Sequence, residues 1–486
     1  MAQEVSDAGP PPDALRRRLL RTLAAAPLLS AALPATARSR RIVVIGGGLA
    51  GLVAALELTR AGHEVKLLEA QDRVGGRART LRGVFDDGLH AELGPLYVPD
   101  THELTLHYCR QFGLRLAVPA PGLAAVRLLR GRRLRLAARE PDWPYALRED
   151  ERGAGIDELR ARYERCWLAR IGNPVDAQWN ARDYAALDDA DLIDCLAREG
   201  ASPEAIALLG ASALWGDGLR SVSALCLLRD GLLQDGAGHN WRIVDGVDAL
   251  PQAFASQLGT RVVENAVVTR IETRAGGVRV IARLDSRTVA FDADRVICAL
   301  PFWQLRRIDT PVWSAGKREA IAGLRAFSAL RTSFQMRRRF WLDRGDSGAA
   351  QTDHAAMPSV FDVAAQQPGE RGLLQVYTGG IEARRLAALP ERDRHAELLA
   401  LLEQVHPGAA AHCERVHSWS WDEAPWAGGA SAWFGRGEMQ RYAAHLATPE
   451  SRVHFAGDHT SPWIRWMQGA LYSGLRAARE VHQADD

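Results

Sequence analysis

Three glycines near the start of the chain have the spacing of a nucleotide-binding turn. Gly46, Gly48 and Gly51 form the pattern G-x-G-x-x-G between an apolar run, 42–45, and a segment with apolar residues at helical spacing. In such a turn the first glycine permits a tight bend, and the second lets the backbone approach a pyrophosphate. The third lets the helix pack against the strand, and the helix N-terminus supplies positive charge.

An acidic residue follows at the place that the same pattern requires. Glu69 ends a second apolar run, where a carboxylate accepts hydrogen bonds from an adenosine ribose. Because a carboxylate repels a 2′-phosphate, NADP is disfavoured. The pattern predicts a dinucleotide site that takes either NAD or FAD.

A second glycine pair comes directly after this acid. Glu69 and Ala70 are followed by Arg73, two glycines, Arg77 and Thr80. This segment resembles the E-A-x-x-R-x-G-G-R-x-x-T signature of the flavin amine oxidase family, which includes monoamine, polyamine and L-amino-acid oxidases. Two fixed cations beside an open backbone suit a pyrophosphate. The resemblance implies FAD as the cofactor.

The C-terminal part of the chain is similar to the closing motif of the same family. Residues 455–458 read F-A-G-D, and residues 469–478 read G-A-L-Y-S-G-L-R-A-A. In the family the acid, here Asp458, hydrogen-bonds the ribityl chain, and the N-terminus of the following helix faces the pyrimidine end of the flavin. A helix N-terminus stabilises the negative charge that a reduced flavin gathers there.

The resemblance assigns further cofactor contacts, residue by residue. Ala430 stands where monoamine oxidases carry their flavin-linking cysteine, so FAD is expected to bind non-covalently. The other positions that match family contacts are Leu49, Ala50, Gly94, Pro95, Leu96, Tyr97, Val268, Arg465, Trp466, Met467, Gln468, Gly469 and Ala470.

The substrate positions depart from those of the relatives. Trp466 matches one aromatic wall of the amine site, but Ser431 stands where monoamine oxidases have the other wall. Tyr97 replaces the arginine with which L-amino-acid oxidases hold a substrate carboxylate, and one hydroxyl cannot replace a bidentate cation. We therefore predict oxidation of an amine without that carboxylate. Trp426 and Trp433 are further candidates for the substrate site.

Three alternatives stay open beside that prediction. The first is an L-amino-acid oxidase whose carboxylate anchor has moved to another arginine. The second is other flavin chemistry, such as desaturation. The third is a non-catalytic flavin-binding scaffold or accessory subunit, because Tyr97, Arg331 and Ser431 all depart from the family at working positions.

The electron acceptor is a separate question. The family places a lysine ten residues before the tryptophan of a Phe-Trp pair, and counting back from Trp341 gives Arg331. In relatives that lysine holds a water near the reactive flavin nitrogen and is associated with the reaction with oxygen. Arginine keeps the charge but changes the reach. We assign Arg331 and Trp466 as the catalytic positions and expect either oxygen or a periplasmic cytochrome or quinone as acceptor.

Residues 1–37 have the features of an export signal. Arg16, Arg17 and Arg18 precede a modest Ala/Leu run, and an A-x-A site occupies 35–37. The arginines resemble a twin-arginine signal, which predicts a periplasmic or secreted protein. The run is too short and too interrupted for a membrane span. A surface helix or tail outside the fold is the alternative.

The composition is that of a globular protein with more than one core. The chain has 486 residues, 47% apolar and 25% charged, with a net charge of +2, so nothing in it favours a nucleic-acid partner. Six scattered cysteines without a C-x-x-C pair give no metal-site pattern. A small amine is the expected partner, and a homodimer is one assembly to test.

The resemblance implies an α/β fold in which a Rossmann-like FAD-binding domain is discontinuous and carries an inserted α+β substrate-binding domain. We place the FAD-binding domain at 38–99, 236–312 and 416–486, and the substrate-binding domain at 100–235 and 313–415.

Patterning along the chain predicts individual elements. An arginine- and proline-rich stretch, 119–152, gives no strand or helix signal. The predicted helices cover 101–112, most of 156–233, 392–405 and the segment after 466, and the predicted strands cover 260–271, 278–284, 288–291, 295–300 and 329–337.

Overall fold

The computed structural model describes residues 39–118, 123–136, 142–176, 178–211, 219–234 and 238–485. The predicted export signal lies outside these residues and stays a prediction. Among the described helices, none combines the length and apolar character needed to cross a membrane. All six cysteines are free thiols.

A parallel sheet of five strands forms the centre of the cofactor side. Numbered along the chain, its strands are adjacent in the order 3-2-1-4-5, which is a doubly wound nucleotide-binding order. In such sheets the ligand lies beyond the carboxyl ends of the strands where the order reverses, here between strands 1 and 4. From one edge to the other, the strands are Val262–Val263, Glu64–Leu68, Arg41–Ile45, Arg295–Cys298 and Val453–Phe455.

Two long helices cover one face of this sheet. Leu49–Arg60, the first helix, packs along Met467–Gln483, the closing helix. A Cβ at Gly474 would overlap the carbonyl oxygen of Ala50, so glycine is what allows the two helices to approach so closely. The first and last motifs of the sequence are therefore packed against each other.

The strand predicted at 260–271 is wrong as one element. Val262–Val263 joins the parallel sheet, whereas Ala266–Arg274 begins an antiparallel meander with Gly277–Leu284 and Arg287–Ala293. The chain turns between them at Asn265, which has a φ of 55°. Asparagine tolerates this left-handed conformation, and the alternation of apolar residues continues across the turn and hides it.

A seven-stranded sheet contains the strand predicted at 329–337 and its neighbours. Helix Glu391–Val405 lies where it was predicted and belongs to the same hydrophobic core. In spatial order the strands are Cys413–Ser420, Ala329–Met336, Gly372–Gly379, Ser359–Asp362, Asp346–Thr352, Ala124–Leu129 and Arg132–Arg135.

The last two of these strands correct the sequence analysis. They form a hairpin inside the arginine-rich stretch that gave no strand signal. The hairpin extends the sheet along Asp346–Thr352, and Arg133 and Arg135 both pair with the buried carboxylate of Asp346. A partner more than two hundred residues away thus accounts for arginines that otherwise indicate an exposed loop.

The described residues between 156 and 234 are mostly helical, as predicted. Helix Ile156–Ile171 ends at Gly172, and Leu192–Arg198 ends before the predicted break at 200–203. The segment continues with Ala185–Asp188, Pro203–Ala211 and Ala224–Gln234.

Short elements connect the larger parts of the molecule. A small sheet joins Val98–Pro99, Asn240–Ile243 and Leu116–Ala117, and the predicted helix at 101–112 spans Glu103–Gln111. The remaining helices and 3-10 turns are Asp86–Gly88, Ala181–Tyr184, Ala249–Leu258, Gly259–Arg261, Phe302–Leu305, Ala315–Gly323, Phe340–Arg344, Gly380–Ala388, Ala409–His412, Glu438–Leu446 and Asp458–Thr460. The remaining strand pairs are Thr80–Leu81 with Ala91–Glu92 and Arg325–Phe327 with Ser431–Trp433.

The fold is therefore a mixed α/β one, as predicted. Its parallel sheet takes strands from three separate stretches of the chain. The division into two domains at the stated boundaries stays a prediction, and strand Cys413–Ser420 runs through one of those boundaries.

Candidate cofactor and substrate site

The glycine turn lies at the carboxyl end of strand Arg41–Ile45. Gly46 has a φ of 103°, and a Cβ at Gly51 would overlap its carbonyl oxygen. Gly48 is different, because a Cβ there would meet no atom within 4 Å. The first turn of helix Leu49–Arg60, which includes Ala50, carries no acidic residue and no side-chain cap. Its free amide groups and the open space at Gly48 fit a phosphate.

Glu69 is held inside this turn. Its carboxylate accepts hydrogen bonds from the amide of Gly47 at 2.6 Å and from the amide of Gln71 at 2.9 Å. Burial raises the pKa of Glu69 above its usual range, and the two amides oppose that shift. A carboxylate fixed in this way keeps further lone pairs for ribose hydroxyls. Ala70 follows it at the edge of the cleft.

The second glycine pair closes over the first. The amide of Gly75 donates to the carbonyl of Gly47 at 2.8 Å, and a Cβ at Gly76 would lie 3.5 Å from the Cα of Gly48. Arg73 donates to the carbonyl of Gly76 at 3.0 Å, so its guanidinium braces this loop. The two glycine loops together form a narrow backbone cradle.

Arg77 connects the two ends of the chain. Its guanidinium forms an ion pair with Asp458 and donates to the carbonyl of Ala430 at 3.0 Å. Burial of Asp458 opposes its ionisation, but Arg77, His459 and the amide of Arg465 together hold the pKa of that carboxyl below its usual range. The second carboxylate oxygen accepts from the amide of Arg465 at 2.9 Å. The second glycine motif and the closing motif therefore meet at Asp458.

The segment Gly94-Pro95-Leu96-Tyr97 continues the cleft. A Cβ at Gly94 would overlap the carbonyl oxygen of Arg77, so this position requires glycine. Trp421 lies behind it and donates its indole N–H to the carbonyl of Leu93 at 2.7 Å. Backbone and one large buried ring thus fix the floor of the cleft.

Tyr97 does not face the cleft with a free hydroxyl. The hydroxyl accepts a hydrogen bond from Arg242 at 3.0 Å, and the Arg242 guanidinium also lies 5.0 Å from the centre of the Tyr97 ring. Arg242 further donates to the carbonyl of Asp362 at 2.6 Å and to the side chain of Gln366 at 3.2 Å. Most of its donors are already used within the protein.

Three side chains form a row on the seven-stranded sheet. Arg331 lies opposite Trp419 on one neighbouring strand and opposite Tyr377 on the other. Its guanidinium donates to the carbonyl of Gly94 at 3.0 Å and to Gln375 at 3.3 Å, and lies 4.3 Å from the centre of the Tyr377 ring. Within the described ranges it forms no ion pair with a carboxylate, and its Nε is buried without a hydrogen-bond partner. The structure brings this predicted residue to the Gly94 segment.

Trp466 lies immediately before the closing helix, where a phosphate or flavin edge would meet the helix N-terminus. Its indole meets the His102 ring edge to face, with ring centres 4.9 Å apart, and the indole N–H donates to Asp230 at 3.3 Å. Met467 and Gln468 begin the helix and leave their amides without intrahelical acceptors. The Gln468 side chain turns away to accept from the amide of Thr105 at 3.1 Å.

The remaining predicted residues fall into two groups. Gly469 and Ala470 lie in the first turn of the closing helix, and a Cβ at Gly469 would overlap the carbonyl oxygen of Trp463. Val268 has a buried side chain in the core, so that only its backbone is available to a ligand.

Ser431 is buried near the cradle. The structure gives no support to Trp426 or Trp433 as substrate-site residues. Ser431 follows Ala430, the acceptor of Arg77, and pairs with Phe327 across two strands. Trp433 packs under the guanidinium of Arg325 at 4.7 Å, and Trp426 is 38% exposed at the surface. Of the predicted substrate-site tryptophans, Trp466 is the one that lies beside the N-terminus of the closing helix.

Sequence reasoning missed Tyr377, Trp419, Arg242 and Asp230. Each belongs to an ordinary strand or helix pattern and carries no motif. Counting across paired strands from Arg331 identifies the first two, but that register is a property of the folded sheet.

The cradle fits FAD. It offers an open glycine turn with free helix amides for a phosphate and a fixed carboxylate for the ribose. The N-terminus of the closing helix offers a second set of free amides for the flavin end. Ala430 has no thiol with which to form a covalent link, so the cofactor is bound non-covalently.

The chain is similar to known proteins over nearly its whole length. Residues 49–482 match the family model described as flavin-containing amine oxidoreductase. A putative L-amino-acid oxidase, YobN of Bacillus subtilis, is 31% identical over 470 residues, covering 93% of this chain and 96% of the relative. A putative flavin-containing monoamine oxidase, AofH of Mycobacterium tuberculosis, is 31% identical over 466 residues, covering 90% of this chain and 96% of the relative.

Solved structures share the fold. Wild-type putrescine oxidase bound to putrescine superposes with a TM-score of 0.78 at 24% identity, covering 91% of this chain and 99% of that one. Cyclohexylamine oxidase from Brevibacterium oxydans has a TM-score of 0.78 at 23% identity, covering 92% of this chain and 99% of that one. At these identities the likeness concerns the fold alone.

Proposed function

The chain belongs to the family of flavin-containing amine oxidoreductases, and on that premise we propose that it oxidises an amine that lacks an α-carboxylate. The family resemblance read from the motifs is confirmed, and with it the assignment as an FAD-dependent enzyme. When bound, FAD takes a hydride from the carbon that bears an unprotonated amine, and the imine product hydrolyses in water.

The position of Trp466 carries this proposal. Its indole stands next to the amides of Met467 and Gln468, at the end of the cradle opposite the ribose carboxylate. An aromatic face there stacks on an amine substrate and polarises its nitrogen. The helix N-terminus beside it stabilises negative charge that develops during the reaction. The protein thus orients the amine and stabilises charge, and no acid–base triad is required.

Tyr97 supports an amine without a carboxylate. Its hydroxyl accepts from Arg242, and a single phenol offers at most one donor to a substrate. A carboxylate in that place would gain no bidentate partner.

An anaerobic titration of the flavin absorbance tests the proposal. Primary, secondary and polyamines are compared with L-amino acids, and we expect amines alone to bleach the flavin. Bleaching by amino acids alone would contradict the substrate class. A flavin that no donor reduces would favour the non-catalytic scaffold, and an unsaturated product without deamination would favour desaturation.

An L-amino-acid oxidase is the second candidate, and Arg331 is the observation that favours it. Its guanidinium has no carboxylate ion pair among the described residues, has a buried Nε without a hydrogen-bond partner, and lies beside Tyr377. A substrate carboxylate is the natural partner for such a cation. This candidate predicts that Arg331→Met raises the KM for L-amino acids much more than the KM for simple amines.

The electron acceptor forms part of the proposal. Because arginine stands at 331 in place of the family's lysine, we propose that electrons pass to a periplasmic cytochrome or quinone more readily than to oxygen. Mixing the amine-reduced enzyme with air-saturated buffer in a stopped-flow instrument measures this. Reoxidation as fast as turnover would make oxygen the acceptor.

Export to the periplasm is proposed from residues 1–37 alone. Cell fractionation of the full chain, and of a variant in which Arg16 and Arg17 are both lysine, tests the twin-arginine route. Retention of the double variant in the cytoplasm is expected, and its undiminished export would contradict the proposal.

A further inference from the structure

We propose that Asp230 is a positioning residue that fixes the Trp466 indole for substrate stacking. This inference rests on the proposed function. Asp230 lies on helix Ala224–Gln234 of the inserted segment, far along the chain from every cofactor motif. One carboxylate oxygen pairs with the guanidinium of Arg465, and the other accepts the indole N–H of Trp466 at 3.3 Å.

Trp466 is held on a second side by His102. The two rings meet edge to face, with their centres 4.9 Å apart and an interplanar angle of 79°. His102 is 1% exposed, and burial lowers its pKa to about 3, so the ring is neutral. The contact with His102 and the hydrogen bond to Asp230 together restrict the indole to one orientation, and Trp466 is only partly buried, which leaves part of its surface for a substrate.

The backbone before Trp466 needs such support. Arg465 has a φ of 75°, a left-handed conformation that is strained for a residue with a side chain. Asp458 accepts its amide at 2.9 Å, and Asp230 accepts its guanidinium. Two carboxylates, one close in the chain and one from helix Ala224–Gln234, thus hold Arg465, and they fix the direction in which the next residue, Trp466, leaves the backbone.

The charge balance favours positioning over direct binding. Arg465 already neutralises Asp230, whose side chain is 14% exposed, so a substrate ammonium would have to compete with a guanidinium. Asp230 therefore acts on the substrate through Trp466 and contributes to specificity by orienting the stacking face.

A double-mutant cycle tests this coupling. Asp230→Ala and Asp230→Asn are each measured in the wild-type and the Trp466→Phe backgrounds, since phenylalanine keeps a ring but has no N–H. We expect Asp230→Ala to lower kcat/KM about tenfold in the wild-type background and less than about twofold beside Trp466→Phe. Asp230→Asn keeps an acceptor oxygen and should lose less. The matched control is Glu204→Gln, which breaks a pair with Arg130 on another inserted helix and should give equal values in both backgrounds.

A second readout is independent of turnover. Benzyltrimethylammonium cannot be oxidised as an unprotonated amine, and its binding over Trp466 is followed by perturbation of the flavin spectrum. We expect Asp230→Ala to weaken the probe about fivefold in the wild-type background alone, with unchanged FAD content. If no amine reduces the wild-type enzyme, the proposed function fails, whereas the probe-binding comparison still tests the role of Asp230.

Two results would overturn the inference. Equal losses on Asp230→Ala in both backgrounds would mean that Asp230 acts independently of Trp466. A probe that fails to bind the wild-type protein, or that binds Trp466→Ala equally well, would mean that Trp466 is not a stacking face. If Asp230→Ala does not fold, Asp230→Asn carries the comparison with a smaller expected loss, which should still be confined to the wild-type background.

Discussion

The cofactor cradle and the substrate wall are built in opposite ways. The cradle consists of backbone: two glycine loops, two helix N-termini and a few side chains that brace them. The proposed substrate wall consists of side chains: Trp466 at a helix end, and Arg331 and Tyr377 paired across two strands. Backbone amides can serve any nucleotide, whereas the choice of amine depends on which side chains meet. The first region can therefore persist across a family while the second changes.

Gly51→Ala should have the largest effect, because the cradle depends on close backbone contact. The new Cβ would overlap the carbonyl oxygen of Gly46, and we expect the free energy of unfolding to fall by about 3 kcal/mol. Chemical denaturation and FAD content measure this. Gly231→Ala is the control, since its Cβ would meet open space in a helix and should add roughly 0.5 kcal/mol. A Gly51→Ala protein with full FAD would show that the cradle tolerates a side chain.

Asp458→Asn should weaken FAD binding by about 2 kcal/mol, or roughly thirtyfold in Kd. Loss of the charge leaves the Arg77 guanidinium, which is 24% exposed, without its ion-pair partner. Fluorescence titration of the apoprotein with FAD measures the change. Asp294→Asn removes a surface pair with Arg41 and should change the Kd by less than about twofold. Equal changes in the Kd of the two variants would show that the ion pair of Arg77 with Asp458 has no specific part in FAD binding.

Trp466→Leu should lower kcat/KM for the best amine by about tenfold. The variant keeps apolar bulk but removes the aromatic face, so FAD content should not change. Trp426→Phe alters an exposed tryptophan and should leave kcat/KM at the wild-type value. Steady-state kinetics with several amines make the comparison. If the Trp466→Leu variant lost FAD, Trp466 would contribute to cofactor binding. The cradle and the substrate wall would then share a residue and could not be treated as separate regions.

Arg331→Lys should have the smallest effect on stability and a diagnostic effect on chemistry. Lysine cannot keep both hydrogen bonds and the stacking on Tyr377, which costs about 1 kcal/mol. Reoxidation of the reduced enzyme by oxygen should become faster, because the substitution restores the family's residue. Stopped-flow absorbance measures the rate, and Arg338→Lys, on the surface, is the control. An unchanged rate of reoxidation by oxygen would show that residue 331 does not determine the electron acceptor.

Much of the fold could be predicted because local patterns determine it. Strands Gly277–Leu284 and Ala329–Met336 and helix Glu391–Val405 follow their periodicity closely. The hairpin Ala124–Leu129 with Arg132–Arg135 could not be predicted, since its arginines are explained by Asp346 on a distant strand. The break at Asn265 was hidden because alternation of apolar residues does not reveal which sheet a strand joins.

The sequence by itself determined the cradle, because glycines and an acid a few residues apart form a nucleotide site as soon as the local strand and helix exist. It also determined which residues depart from the family, including Tyr97 and Arg331. Only the tertiary structure decided which side chains contact these departing residues. Arg242 reaches the Tyr97 hydroxyl, Tyr377 comes beside Arg331 through strand register, and Asp230 reaches Trp466 across more than two hundred residues. Contacts between side chains so far apart depend on how the layers pack, and no local spacing in the chain encodes that packing.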